Sequence, residues 1–169
     1  MAGPFGIGRT QLAPGRAIVC GGLVVGSLDA IDALVYFGFR GASPSRIFQS
    51  IASGLLGRSA YDGGLGTVFL GVALHFFIAF SIVGWYYVAS RGIRVMIRRP
   101  VLCGIGYGVL VYFFMNRVVI PLSAIGHLPF HLPNFVNGVL IHMFGVGLPS
   151  ALFVWAAEPH VREMRARPE

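Results

Sequence analysis

Apolar runs of membrane-spanning length alternate along this chain with short basic or Gly/Pro-rich stretches. The first run opens at Arg16 and continues to about Phe39, and three more cover about 65–90, 101–122 and 134–157. A helix rises about 1.5 Å per residue, so about 20 apolar residues cross a hydrocarbon core. Each run therefore predicts one spanning helix. The first is too long for a signal peptide and lacks a small-residue cleavage site, so it reads as a retained helix.

Residues 40–64 break the pattern. Ser43-Pro44 has the form of an N-cap followed by proline at the first helical position. Ile47, Phe48, Ile51, Leu55 and Leu56 then recur at helical spacing, with Arg46, Gln49, Ser50 and Ser53 filling much of the rest. The stretch about 44–56 is too short to span, which predicts an amphipathic helix lying in the interface; a buried re-entrant helix is the alternative. Trp85-Tyr86-Tyr87 and Trp155 close the second and fourth runs with residues suited to the water–lipid boundary. Pro149 falls inside the fourth run and predicts a kink there. The fold class is all-α: a single domain over 1–169, an integral membrane four-helix bundle with a short interfacial helix between the first and second spans.

Composition agrees. Hydrophobic residues make up 56% of the chain and charged ones 11%, against about 25% charged in soluble domains. The mean hydropathy is +0.76. The 24 glycines follow no strict period and read as points of close helix–helix contact. Lysine is absent: all 13 basic residues are arginine, and the net charge is +7. Most of these arginines flank the apolar runs instead of forming a patch, which argues for topological signals and against nucleic-acid binding. Placing both termini in the cytoplasm puts Arg9, Arg16, Arg91, Arg94, Arg98, Arg99, Arg162, Arg165 and Arg167 inside, against Arg40, Arg46, Arg58 and Arg117 outside. That bias predicts an N-in, C-in protein of four spans.

Against this apolar background the polar residues inside the spans stand out. Asp29 and Asp32 lie in the first span, His75 in the second, Asn116 and Arg117 in the third, and His142 in the fourth. With the expected orientation all fall in the outer half of the bilayer, His75 about 15 Å deep. Gly22, Gly26, Asp29 and Ala33 share one helix face; so do Gly71, His75 and Ala79, and Gly138, His142 and Gly145. Asp29, His75 and His142 are thus expected to point into the bundle. Asp32 sits at the flank of its face. Arg117 falls away from Gly104 and Gly108, toward lipid headgroups. A carboxylate in hydrocarbon costs about 2.5–3.5 kcal/mol on insertion scales, so these groups need partners.

Several chemistries fit such a cluster: a structural hydrogen-bond network, proton or ion handling, a divalent metal held by His75, His142 and Asp29, or haem between the two histidines. The first two are the leading expectation, with no cofactor; a haem- or metal-binding redox subunit, or an accessory subunit of a larger membrane complex, are the alternatives. His127 and His131 lie in a Pro-rich loop before the fourth span. Cys20 and Cys103 form no Cys-x-x-Cys pair and behave as small hydrophobes. Gly104-Ile-Gly106-Tyr-Gly108 opens a span and follows no strand, so it is not a phosphate loop. No enzyme motif is present, and the partners expected are the bilayer, with a membrane protein or a second copy of the chain possible.

The segments Arg46–Gly57, His75–Phe80 and Met115–Leu122 resemble a group of small four-helix inner-membrane proteins of bacteria, mostly uncharacterised. A histidine in the second span, a Pro-containing loop and a histidine in the fourth span are also similar to the YagU-like inner-membrane proteins, for which a role in acid resistance has been suggested. The resemblance implies fold and location and brings no catalytic residue.

Overall fold

The computed structural model describes residues 14–157, and every regular element among them is helical. The basic tail and His160, and Arg9 with the residues before the first span, lie outside the described residues. Among the described residues, four helices are long and apolar enough to cross a membrane: Pro14–Gly38, Gly64–Gly92, Pro100–Leu122 and Leu132–Ala157. The protein is a multi-pass, all-α membrane bundle. The first span is α1 (Pro14–Gly38); α2 (Pro44–Leu56) and a 3-10 turn (Gly57–Tyr61) lead to the second, α3 (Gly64–Gly92). A short α4 (Val95–Arg98) precedes α5 (Pro100–Phe114), which continues through a π-turn (Met115–Val119) into α6 (Ile120–Leu122) to complete the third span. The fourth is α7 (Leu132–Ile141), a second π-turn (His142–Gly147) and α8 (Leu148–Ala157).

Lipid is as apolar as leucine, so membrane helices associate through close packing at small residues. On α1, Gly22 and Gly26 face the rings of Phe80 and Phe76 on α3. Gly104 and Gly108 of α5 lie on the backbone of the second π-turn, where a Cβ on Gly108 would collide with the His142 carbonyl. The apolar core occupies the half of the bundle nearer α4 and contains Val25, Val83, Tyr86, Val111, Val146 and Val154. Its two phenols are satisfied internally: Tyr86 donates to the Met96 carbonyl (3.2 Å) and Tyr107 to the Ile82 carbonyl (2.7 Å). The cavities described below lie in the half nearer α2.

The expected start of α2 is in place. Pro44 stands in the first turn, and Ser43 Oγ accepts from the Arg46 N–H at 3.3 Å. The buried face is turned from the one the apolar spacing suggests. Ile47, Gln49, Ala52 and Ser53 are buried, while Leu55 and Leu56 are 64% and 45% exposed. Gln49 can be buried because Nε2 donates to the Gly64 carbonyl (3.2 Å) and to Thr67 Oγ1 (3.3 Å); Ser53 Oγ donates to the Ser50 carbonyl (2.6 Å). Gly71 admits the Phe48 carbonyl where a side chain would stand, so α2 wedges against α3.

The distortion expected at Pro149 takes the form of a π-turn. The Leu148 N–H reaches back five residues to the Met143 carbonyl. The third span repeats the device, with the Ile120 N–H bonded to the Met115 carbonyl just before Pro121. Proline offers no N–H and crowds the carbonyl one turn back, and a wider turn relieves both.

Candidate functional site: a polar cavity at the α2 end of the bundle

His75 is buried on α3, 8% exposed. Its Nε2 lies 2.7 Å from the Gly26 carbonyl oxygen on α1. A carbonyl only accepts, so Nε2 carries a hydrogen. The other nitrogen, Nδ1, faces Asp29 Oδ2 at 3.9 Å. Two lone-pair groups facing each other repel; the contact is attractive when a proton sits on either the imidazole or the carboxyl. Phe48 and Phe76 stand edge-on to the imidazole, with centroids at 6.5 and 5.4 Å, and shield it on the apolar side. The Asp29 side chain keeps 30% of its surface open.

One turn further along α1, Asp32 Oδ2 accepts from Asn137 Nδ2 of α7 at 2.8 Å. A turn beyond that, the Tyr36 hydroxyl donates to Asn134 Oδ1 at 3.1 Å. The two spans run in opposite directions, so Asp29-x-x-Asp32-x-x-x-Tyr36 meets Asn134-x-x-Asn137-x-x-x-x-His142 as a polar ladder. Arg40 caps its end: the guanidinium carbon lies 3.6 Å over the Tyr36 ring, and Nη1 donates to the Tyr36 carbonyl at 2.9 Å. His142 bonds through Nδ1 to the Gly138 carbonyl one turn back (2.8 Å), which leaves Nε2 open, and Tyr112 stands edge-on to its ring at 5.4 Å.

These groups wall two adjoining cavities. The larger, about 570 Å³, has Asp29, Asp32, Tyr36, His75, Asn137 and His142 on its walls, with Arg46 of α2 among the residues of the opposite side. The smaller, about 210 Å³, continues toward Met115, Asn116 and Val146. Asp29, Ile51, His75, Ile120 and His142 line both, so the Asp29–His75 pair stands at the junction. Asn116 spends its amide on the Tyr112 carbonyl (2.9 Å). Arg117 is exposed and lines a different cavity.

Asp29, Asp32, His75 and His142 are therefore neighbours around one space, Asn116 borders its deeper part, and Arg117 stands apart. Asn134, Asn137 and Tyr36 were not expected from the sequence. Their signal was the matched spacing, Asn134/Asn137 against Asp32/Tyr36, which has meaning only once the first and fourth spans are known to be neighbours. Among the described residues, no three His, Cys, Asp or Glu side chains come close enough to hold a metal ion. Cys20 and Cys103 are both free thiols.

Compared with protein-family models, curated proteins and solved structures, the chain matches none. The chemistry of the site therefore rests on its own geometry.

Proposed function

We propose that this protein binds protons or small cations at the Asp29–His75 pair, reached through the larger cavity from the outer face of a bacterial inner membrane. The observation that carries the proposal is the contact of Asp29 Oδ2 with His75 Nδ1 at 3.9 Å, at the junction of two cavities. With Nε2 engaged by the Gly26 carbonyl, the pair is favourable when it holds one proton between its two groups. Asp32 adds a second carboxylate on the same wall, so a cation that displaces the proton meets two acidic groups. In the orientation with both termini cytoplasmic, α2 and the larger cavity face outward and the valine- and tyrosine-rich core faces inward. The acid-resistance role suggested for the YagU-like proteins would draw on the same chemistry.

A haem- or metal-binding redox role fits the donor set less well. Among the described residues no three His, Cys, Asp or Glu side chains come close enough to share a metal ion, and His142 turns Nδ1 to the Gly138 carbonyl of its own helix.

Infrared difference spectroscopy of the protein in lipid, recorded across a pH step, tests the reading. The wild type is expected to show a protonated-carboxyl band that disappears in Asp29→Asn and changes in His75→Gln. Identical difference spectra in all three proteins would sink the assignment.

A further inference from the structure

A third cavity, of about 560 Å³, lies between the end of the third span and the loop 123–131. Its polar lining has the opposite character. Arg117 from the first π-turn stands on one wall, and His127 and His131 from the loop on the other. The amides of Asn116 and Asn134 border it too, and no carboxylate is among its described lining residues. Arg117 makes no hydrogen bond or ion pair with another described residue, so its charge is available. An arginine fork beside imidazoles and the Asn134 amide is a donor set suited to phosphate oxygens. The remaining walls are apolar and outward-facing: Phe130 and Leu128 are 70% and 61% exposed, and Phe113 is 40% exposed. A ligand here meets cationic donors at one end and lipid-facing aromatic surface at the other.

We propose that this cavity binds the phosphate group of an anionic amphiphile, with the headgroup at Arg117, His127 and His131 and the chains along Phe113 and Phe130. The same donors accept free phosphate; the apolar walls favour the lipid source. Zwitterionic headgroups are disfavoured because the cavity offers no carboxylate for an ammonium group. The site shares Asn134 and Ile120 with the carboxylate-lined cavity, so an anion site adjoins a cation site. It does not depend on the protonation chemistry proposed for Asp29 and His75.

Calorimetric titration of the full chain in a non-ionic detergent tests this, with three probes: inorganic phosphate, dihexanoyl phosphatidylglycerol and dihexanoyl phosphatidylcholine. Saturable binding of the phosphatidylglycerol is expected, with phosphatidylcholine weaker by roughly tenfold or more. Arg117→Gln should weaken the phosphatidylglycerol by roughly tenfold and His131→Ala by roughly threefold, both as monodisperse protein because both residues are exposed. Arg117-dependent binding of inorganic phosphate with a similar Kd would support the site and assign its source to soluble phosphate. Equal binding of the two lipids, or equal binding by wild type and Arg117→Gln, would overturn the proposal.

Discussion

Asp32 and Asn137 show how a charge is made tolerable within a span. The carboxylate accepts an amide hydrogen at 2.8 Å from a helix 105 residues away in sequence. Replacing one partner leaves the other half-buried without its bond, at up to roughly 1–3 kcal/mol. Asn137→Leu is expected to lower thermal stability in mild detergent by that order. Asp32→Asn should cost less, since an amide oxygen still accepts, and the double variant Asp32→Leu/Asn137→Leu should recover much of the loss. An Asn137→Leu protein as stable as wild type would show the bond to be dispensable. The sequence marked Asp29 as the inward carboxylate and Asp32 as the flank residue. The structure gives Asp32 the shorter contact and Asp29 the position beside His75. Helical-wheel position orders residues around one helix; it carries no information about which neighbour stands opposite, and that decides the bond.

At the scale of elements, the third and fourth spans meet through glycine against a π-turn. Gly108 and Gly104 of α5 approach the backbone of His142–Gly147 so closely that a methyl group at Gly108 must displace the chain. Gly106, two residues away, has open space around it. Gly106→Ala is therefore expected to be neutral, while Gly108→Ala should destabilise by about 1–3 kcal/mol, the usual cost of overpacking. Thermal unfolding of the two variants side by side measures the difference; equal midpoints would mean that this crossing is not tightly packed in lipid. The same contact tethers His142, since its carbonyl is the group that Gly108 admits. The four spans were legible because apolar length alone sets them. The face of α2 was not, because Gln49 and Ser53 became inward residues by finding internal acceptors in α3 and in α2 itself. Spacing identifies apolar positions but is blind to a polar side chain whose partner lies on another helix. Pro149 announced a distortion, yet its form as a π-turn depends on backbone bonding that no residue type encodes.

Across the described residues, one half of the bundle holds a valine- and tyrosine-rich core and the other carries an acidic cavity beside a basic one. The acidic cavity was within reach of the sequence, since Asp29, His75 and His142 share a depth. The basic one was only partly so: Arg117 and the two loop histidines were visible, but a loop folding back over its own span brings them together. The Asp32–Asn137 bond also has a consequence for biosynthesis. The first span leaves the ribosome with two carboxylates, and the donor for one of them is made 105 residues later. At about 5–20 residues per second that interval is roughly 5–20 s. During it the helix sits in the membrane without the neighbour that satisfies Asp32. Chains truncated before Leu132 should therefore show a first helix that integrates less completely than in the full chain, read by glycosylation-site reporters placed on either side of it. Asp32→Leu should abolish the difference. If truncated and full chains integrate alike, the first span is settled before its partner arrives.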